Sequence, residues 1–432
     1  MAKTISTGAW LRGAWCATLA LAATAFIAPA HAQAQTTGSL STHSSHPLMT
    51  PQALAQAEAN FPRCIASLWP EAQAKGVSRQ TFERYTRNLQ PDMQIMKYLD
   101  SQPEFSKPIG DYVEMLVSNY RVKKGQEILA KYKNVFDAAE RAYGVDRYAV
   151  AAIWGIESSY GHPSGIGNRN VLEATATLSC IGRRQDYFRT EFIATLQILE
   201  RGDVPYKDLK GSWAGAFGPT QFMPTSFHRF AVDFDGDGKR DVVNSIPDII
   251  ASTANNLKLD GWQYGKTWGY EVKLPPGFDY RYANRKFKQS LGQWASLGVT
   301  RPSGSGFPRP NDQAYLLLPS GAKGPAFLML GNFDAILKYN PADAYALAIG
   351  HLSDRLRGYG GFAQSWPKEE RGLSRAERVE IQNRLTRMGY DIGPVDGILG
   401  SKSRAAIQDF QARSGLLPDG YPDVALLQQM RR

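Results

Sequence analysis

The segment at residues 148–156 (YAVAAIWGI) is apolar on nearly every side of the helix that it would form. A helix on a protein surface carries apolar residues on one stripe only, so this segment requires packing partners on most of its faces. Apolar residues also recur at helical spacing through much of residues 52–259. The sequence therefore predicts a mainly α core with a helix buried at its centre.

The pattern changes after this helical region. Residues 266–330 contain short apolar runs between glycine and proline residues, which is typical of strands and loops. Helical spacing returns at residues 333–356, and residues 358–373 are rich in glycine and polar residues, which indicates a linker. Residues 374–432 contain three short apolar-faced segments separated by turns. We expect a main domain at residues 52–357, with a β and loop insertion, and a separate small helical domain.

The first residues have the order of a secretory signal peptide: a charged start with Lys3 and Arg12, an apolar run, and the sequence AHA at residues 30–32. This predicts a signal peptide at residues 1–32 and a flexible polar leader at residues 33–51. A membrane anchor is the alternative, but the apolar run is short for one. No later segment has the ~18 continuous apolar residues of a membrane helix. We therefore expect an exported, periplasmic, soluble protein without a transmembrane anchor.

Composition narrows the class of partner only slightly. The 432-residue chain carries 50 Lys and Arg against 40 Asp and Glu, a formal net charge of +10. A positive surface favours acidic partners, whether nucleic acid, anionic lipid or an acidic wall polymer, and does not choose among them. Export and the absence of a recognised nucleic-acid motif count against a nucleic-acid binder. With 43% hydrophobic residues, the chain is not disordered along its whole length.

Two cysteines remain once the predicted signal peptide is removed, Cys64 and Cys180. An oxidising compartment favours their pairing, and closing the long loop between them would stabilise the fold. Two separate buried thiols are the alternative, because spacing along the sequence gives no distance in space. We expect a disulfide.

The string WGIESSYG at residues 154–161 puts Glu157 near the end of the central helix, for which Asp146 is a candidate cap. Apolar neighbours disfavour a charged carboxyl, and so does the partial negative charge of a helix C-terminus. Both effects should raise the pKa of Glu157. A carboxyl that keeps its proton near neutral pH is suited to act as a general acid. The alternative is a glutamate that simply reaches solvent.

Two further strings accompany Glu157. Residues 211–226 (GSWAGAFGPTQFMPTS) combine small residues, which permit close backbone approach, with hydrogen-bonding and aromatic side chains. Such a set can grip neutral carbohydrate, with sugar rings stacked on the aromatic rings, while a glycine-rich turn with core aromatics is the alternative. The side chains concerned are Ser212, Trp213, Phe217, Gln221 and Phe222. The second string is YNP at residues 339–341, followed by Tyr345.

Together these strings resemble the lytic murein transglycosylase family, of the membrane-bound lytic transglycosylase B type in a soluble form, over roughly residues 52–366. The tail resembles the helical peptidoglycan-binding domain, through motifs such as PVDG at residues 394–397 and AAI at residues 405–407. The first resemblance implies a lysozyme-like α-helical catalytic core with a small β and loop subdomain. The second implies a three-helix peptidoglycan-binding module.

The family resemblance implies a lyase of the EC 4.2.2 class. Such an enzyme cleaves the β-1,4 bond between N-acetylmuramic acid and N-acetylglucosamine without water, leaves a 1,6-anhydromuramoyl end, and uses no cofactor for catalysis. By resemblance Glu157 is the single general acid and base. The resemblance puts these side chains in the glycan cleft: Tyr120, Ser212, Gln221, Asn340 and Tyr345. It puts Arg183 and Arg184 near stem-peptide carboxylates, for which guanidinium groups are suited, with plain surface solvation as the alternative.

The expected partners are the glycan strands and stem peptides of peptidoglycan, with proteins of cell-wall synthesis or division as further candidates. The expected state is a monomer. A muramidase that uses water is the competing enzyme, and it needs a second acid such as Asp186 or Asp203 opposite Glu157. A non-catalytic peptidoglycan-binding protein is the remaining alternative.

Residues 233–241 (DFDGDGKRD) match positions 1, 3, 5 and 6 of an EF-hand loop, with carboxylates at alternate positions and glycine at the sixth. Position 12 is Asn244 in place of the bidentate glutamate, and the family resemblance allows a longer loop with a later acid. We expect a structural Ca²⁺ with these ligands: Asp233, Asp235, Asp237, the Lys239 carbonyl and Asp248. A solvated Asx-rich turn is the alternative.

Overall fold

The computed structural model describes residues 47–99, 107–368 and 372–432. The predicted signal peptide and residues 33–46 of the predicted leader lie outside the described residues. The end of that leader is part of the fold, because Pro47–Met49 form a 3₁₀ helix and Met49 is buried against apolar side chains. The leader prediction is therefore wrong at its C-terminal end.

The elements of the main domain follow one another in three groups. The first helices are α1 (Pro51–Ser67), α2 (Trp69–Ala74), α3 (Arg79–Thr86), α4 (Ile109–Leu116), α5 (Asn119–Lys131) and α6 (Lys133–Tyr143). Next come α7 (Arg147–Ser158), α8 (Pro163–Ile166), β1 (Arg169–Asn170), α9 (Val171–Cys180), α10 (Gln185–Arg201), β2 (Lys210–Gly211), α11 (Pro224–Phe230) and α12 (Ile246–Leu259). The last are β3 (Gly269–Val272), β4 (Gln289–Ser290), α13 (Leu291–Ser296), β5 (Gln313–Leu317), β6 (Ala326–Met329), α14 (Gly331–Tyr339) and α15 (Asp343–Leu356).

Helix α7 is the central helix that the sequence predicted. It begins where the Asp146 side chain accepts a hydrogen bond from the Tyr148 N–H at 2.8 Å, and it ends where Ser159 adopts a left-handed backbone with φ 52°. Residues 149–158 are all buried. Helices α5, α6, α12 and α15 pack around it, so the prediction of a helix covered on most sides is confirmed.

The helices form two apolar cores. The first surrounds α7 and is built from α4, α5, α6, α12, α14 and α15. The second is built from α1, α2, α3, α9, α10 and α11. Cys64 of α1 and Cys180 at the end of α9 form a disulfide, and their Cα atoms are 6.0 Å apart. Both residues belong to the second core or pack against it.

The predicted β and loop insertion is a four-stranded antiparallel sheet with the strand order β3-β6-β5-β4. Its side chains alternate between two faces, as strand geometry requires. Tyr315 and Leu317 of β5 pack into the first helical core, whereas Leu316 packs into a separate cluster with Trp294 of α13. The sheet is thereby anchored to the core that contains α7.

Part of the predicted linker is packed structure. Phe362 and Trp366 lie against the first core, and the Gln364 side chain donates to the Val272 carbonyl at 2.9 Å. The N–H groups of Ala363 and Gln364 both donate to the Glu271 carboxylate at 2.7 Å. These aromatic and backbone contacts hold the segment on the main domain, so its described part before residue 369 is not a free spacer.

The C-terminal unit contains the three predicted helices, α16 (Arg375–Arg387), α17 (Ser401–Arg413) and α18 (Val424–Arg431). A capping box between Ser374 and Glu377 begins α16. The helices enclose a small apolar core of their own, separate from those of the main domain.

Candidate active site

Glu157 lies in the last turn of α7 and is only 2% exposed. Its Oε1 atom accepts a hydrogen bond from the phenolic O–H of Tyr345 at 2.6 Å. Tyr345 lies in the first turn of α15 and is itself fully buried. The structure therefore brings together two of the predicted site residues that are 188 positions apart in the sequence.

The residues beside Glu157 join the two helical cores. The Ser158 hydroxyl donates to the Pro219 carbonyl at 2.6 Å and accepts from the Gly161 N–H at 2.8 Å. The Tyr339 O–H donates to the Thr220 carbonyl. Pro219 and Thr220 lie in the loop at residues 211–222, and residues 214, 217 and 222 of that loop belong to the second core. Helices α7 and α15 belong to the first core. Glu157 thus lies at the seam between the cores.

The backbone is strained at three residues around this seam and at a fourth residue that precedes α10. Four non-glycine residues among those the structure describes have a positive φ: Ser159 (52°), Tyr160 (63°), Arg184 (65°) and Gln221 (53°). A left-handed conformation costs a non-glycine residue about 1–2 kcal/mol, and such strain is concentrated at functional sites. Ser159, Tyr160 and Gln221 lie in the two strings at residues 154–161 and 211–226, and Arg184 is one of the two predicted stem-peptide arginines.

Arg121 holds the strained turn after Glu157, and the sequence analysis missed it. Its Nε donates to the Gly155 carbonyl at 2.9 Å, and its Nη2 donates to the Ser159 hydroxyl at 3.3 Å. The Tyr160 hydroxyl donates to the Arg121 carbonyl at 3.1 Å. A signal was present, because Arg121 shares the buried face of α5 with Gly125 and Ile128, and a charged side chain on such a face needs partners.

The loop at residues 211–222 uses its polar side chains to hold its own backbone. The Ser212 hydroxyl accepts from the N–H groups of Ala214 (3.3 Å) and Ala216 (3.2 Å). The Gln221 amide donates to the carbonyls of Gly218 (2.9 Å) and Ile166 (3.1 Å). Both side chains are buried and fix the shape of the loop beside Glu157.

The small residues of this loop have the predicted role. A Cβ added at Gly211 would lie 2.0 Å from the Ala216 carbonyl oxygen, so only glycine permits that approach. The prediction that Phe217 and Phe222 could stack on sugars is wrong, because both rings are buried in the second core. Trp213 is only partly buried and stacks on Tyr98, with ring centroids 6.3 Å apart.

The remaining predicted glycan residues differ in their surroundings. Asn340 is buried and accepts a hydrogen bond from the Ala342 N–H at 3.0 Å, just before α15 begins. It therefore helps to position the helix that carries Tyr345. Tyr120 lies in the first turn of α5 and is 68% exposed, beside the buried Arg121.

The two predicted stem-peptide arginines precede α10. Arg183 donates to the Leu99 carbonyl. The Arg184 guanidinium lies over the Tyr187 ring, 4.5 Å from its centroid, and burial lowers its pKa. Both side chains are partly buried and make contacts within the protein, so they are more than solvated surface charges.

The two acids considered for a water-using reaction have other surroundings. Asp203 is buried, and its carboxylate pairs with Arg240 at 2.7 Å and with Arg201 at 3.1 Å. Asp186 has a side chain that is 99% exposed, at the start of α10. The first acid is neutralised by ion pairs and the second projects into solvent.

Three of the predicted metal-ligating acids converge. Asp233, Asp235 and Asp248 each offer a carboxylate oxygen, and these oxygens lie within 4.8 Å of one another. Asp248 is fully buried and accepts from the N–H groups of Phe234 (2.7 Å) and Asp241 (2.8 Å). Burial raises its pKa, and the nearby Asp235 charge adds to that increase. Asp237 is outside this group and accepts from the Lys239 N–H at 2.8 Å.

The chain matches two known sequence families. The family described as "Transglycosylase SLT domain" matches residues 60–354, and the family described as "Putative peptidoglycan binding domain" matches residues 374–430. Membrane-bound lytic murein transglycosylase B of Escherichia coli (strain K12) is 30% identical over 312 residues, which cover 68% of this chain and 82% of that protein.

Solved structures of lytic transglycosylases are similar to this chain in fold. The crystal structure of SltB3 from Pseudomonas aeruginosa in complex with NAG-anhNAM-pentapeptide has a TM-score of 0.82 and 46% identity, and it covers 86% of this chain and 99% of that chain. Escherichia coli Slt35 in complex with calcium has a TM-score of 0.57 and 29% identity, and it covers 69% of this chain and 93% of that chain. These similarities confirm the expected mainly α, lysozyme-like fold with a C-terminal helical module. None of the described helices has the length and apolar character needed to cross a membrane.

Proposed function

Because this chain belongs to the transglycosylase SLT domain family, and is therefore a peptidoglycan lytic transglycosylase, we propose that Glu157 is the single general acid and base of its reaction. The proposed product is a 1,6-anhydromuramoyl end, formed without water. The observation that carries this proposal is the buried Glu157 carboxyl at the seam of the two cores, hydrogen-bonded by Tyr345.

The reaction needs one carboxyl in two protonation states. The protonated carboxyl first gives its proton to the glycosidic oxygen, and the bond from C1 of N-acetylmuramic acid to that oxygen breaks. The resulting carboxylate then takes the proton of the C6 hydroxyl, whose oxygen bonds to C1. Burial favours the protonated form that begins the cycle, whereas the Tyr345 O–H stabilises the carboxylate that forms midway. The proton returns to Glu157, so the atoms balance without water.

The surroundings of the two acids considered for a water-using reaction support this assignment. Hydrolysis by the usual two-carboxylate mechanism requires a second acid across the bond. Asp203 is committed to two arginines, and Asp186 extends into solvent, so neither resembles an activated base. We propose that Tyr120, Ser212, Gln221 and Asn340 shape the glycan cleft, directly or through the backbone that they hold.

We also propose that Arg183 and Arg184 face the stem peptide, and that the protein is exported to the periplasm as a soluble monomer. The signal-peptide order of residues 1–32 supports export. The peptidoglycan-binding domain supports glycan strands and stem peptides as partners. Proteins of cell-wall synthesis or division stay candidate partners.

The test is digestion of purified sacculi followed by mass analysis of the released muropeptides. We expect anhydro ends, which are lighter than hydrated ends by one water. A hydrolytic muramidase run in parallel supplies the hydrated reference. Hydrated ends alone would contradict the proposed reaction.

We propose a structural Ca²⁺ held by Asp233, Asp235 and Asp248. Converging carboxylates repel one another unless a cation or a proton intervenes, and oxygen ligands suit Ca²⁺. The related Slt35 structure contains calcium, which supports this assignment. Asp237 and the Lys239 carbonyl complete the proposed ligand set. The ion would hold the loop after α11 to the start of α12.

Calcium should raise the thermal stability of the protein. At about a hundredfold excess over its dissociation constant, a bound ion stabilises the folded state by about 2.7 kcal/mol. Because the pKa of Asp248 is raised without the ion, protons compete with calcium, so the increase in Tm should be larger at pH 8 than at pH 5. Differential scanning calorimetry with EDTA or CaCl₂ measures it.

Two variants test which residues bind the ion, and magnesium tests whether the site prefers calcium. Asp235→Asn should remove most of the Tm increase, and Asp237→Asn tests whether that residue is a ligand. Magnesium at the same concentration should stabilise less, because it prefers a smaller, octahedral site. An identical Tm in EDTA and in CaCl₂ would argue against the ion.

A further inference from the structure

The C-terminal module is docked on the main domain in this structure. The Asp419 carboxylate accepts from the Ala322 N–H at 3.0 Å, and the Gln408 amide donates to the Tyr280 carbonyl at 2.9 Å. A Cβ added at Gly321 would lie 2.8 Å from the Cβ of Tyr421, so the two backbones approach closely there. These contacts define a boundary between modules.

Two clefts open along this boundary, with volumes of about 220 Å³ and about 240 Å³. The residues that line both clefts are Pro341, Asp343, Leu399, Gly400 and Arg404. Asp343 begins α15, which carries Tyr345 two residues later. The clefts therefore adjoin the helix that positions Glu157.

Arg404 is the central charged group of these clefts. It is partly buried, and burial lowers its pKa, as does the nearby Arg285. Among the described residues, no hydrogen bond or salt bridge of the Arg404 guanidinium is found, although it has five N–H donors. A cation removed from water in this way is stabilised by an anion that accepts its hydrogen bonds.

The acidic groups around Arg404 already have partners. Asp343 pairs with Arg285. One carboxylate oxygen of Asp419 accepts from Ala322, and the other accepts from the Gln411 amide at 2.9 Å and the Tyr421 N–H at 2.9 Å. Arg285 and Asp343 neutralise each other. The cleft of about 220 Å³ is lined by Lys107, Arg378 and Arg404 against Asp343 and Asp423, so this cleft keeps one positive charge.

We propose that the cleft between the modules is a carboxylate-binding site in which Arg404 holds a carboxylate of a peptidoglycan stem peptide. A planar guanidinium binds a carboxylate through two parallel hydrogen bonds. This assignment rests on the proposed function, because peptidoglycan supplies the ligand. The stem peptides carry the free carboxylates of the unmodified polymer, and a cleft of this size accommodates a peptide end. One bound peptide would then contact both modules.

The test is isothermal titration calorimetry on the full chain carrying Glu157→Gln, with a synthetic stem pentapeptide as the probe. The comparison ligand is the same peptide with every carboxyl converted to an amide. We expect Arg404→Gln to remove one bound peptide equivalent per chain, or to weaken that site at least tenfold. Amidation of the peptide should have the same effect on the protein with Arg404 intact, when both are measured in a chain that also carries Arg183→Gln and Arg184→Gln, so that the stem-peptide contact proposed for those arginines does not contribute.

Arg413→Gln is the matched control, because Arg413 lies on the same helix with a side chain that is 72% exposed. It should leave the number of bound peptides unchanged. Unchanged binding in Arg404→Gln, or equal binding of the amidated peptide, would overturn the proposal. Displacement of the peptide by inorganic phosphate as readily as by acetate would overturn the assignment to carboxylates.

The amidation comparison does not depend on how well a variant folds, so it keeps the test decisive if Arg404→Gln is unstable. The readout is binding and requires no cleavage. If Arg404 does not bind the peptide, the masses of the released muropeptides are unchanged. If the muropeptides carry hydrated ends, the binding of the peptide to Arg404 is unchanged. The two proposals can therefore fail separately.

Discussion

Replacing Glu157 by glutamine should reduce the release of muropeptides from purified sacculi by about 10³-fold. The amide is nearly the same shape as the carboxyl, and its oxygen can still accept the Tyr345 hydrogen bond that is 2.6 Å long in the wild type. It has no acidic proton to give to the glycosidic oxygen. The loss should therefore fall on the chemical step, and binding of the protein to sacculi should be retained.

Glu191→Gln is the matched control for this variant. Glu191 is also a buried glutamate, and burial raises its pKa, but its carboxylate accepts from the Thr225 N–H (2.9 Å) and hydroxyl (2.7 Å). These bonds go to different carboxylate oxygens. The amide oxygen can keep the bond from the Thr225 N–H while the amide NH₂ donates to the Thr225 hydroxyl, so we expect activity within about tenfold of the wild type. Comparable losses in both variants would indicate a general effect of altering a buried carboxyl. Full activity of Glu157→Gln would contradict the assigned role.

Removing the disulfide with the double substitution Cys64→Ser and Cys180→Ser should lower the free energy of unfolding by about 4 kcal/mol. The cysteines are 116 positions apart, so the bridge closes a long loop in the unfolded chain and removes much of its conformational entropy. The bond also ties α1 to α9 in the second core. Urea unfolding under oxidising conditions measures the difference.

Reduction of the wild type with dithiothreitol is the control for the disulfide variant. It should lower the unfolding midpoint of the wild type toward that of the double variant, while the variant itself should not respond. If the double variant unfolds within about 1 kcal/mol of the oxidised wild type, the loop-closure explanation fails.

If the Arg404 cleft binds peptide as proposed, the C-terminal module does more than tether the enzyme to the wall. A tether raises only the local concentration of substrate, and its effect depends on linker length. Here the described part of the predicted linker before residue 369 packs on the main domain through Phe362 and Trp366. The module is held beside α15, so bound peptide would meet both modules at a defined place.

Much of the fold was predictable because its signals are local. The apolar run at residues 148–156 is a property of consecutive residues, and the cap at Asp146 acts within one turn of α7. The strands of the insertion were predictable from short apolar runs that are bounded by glycine and proline residues. The interpretation of Phe217 and Phe222 failed because an aromatic ring in a turn gives no local signal of the side on which it is buried.

The sequence by itself determined which carboxyl ends the central helix, where the sheet and the tail module begin, and which loop carries a cluster of acids. Only the tertiary structure decided that Tyr345 bonds Glu157, that Arg121 holds the turn behind it, and that Asp237 is outside the group of converging carboxylates. Helix periods, caps and turns depend on neighbours in the chain. Contacts across 188 residues depend on how the cores pack, which no short pattern encodes.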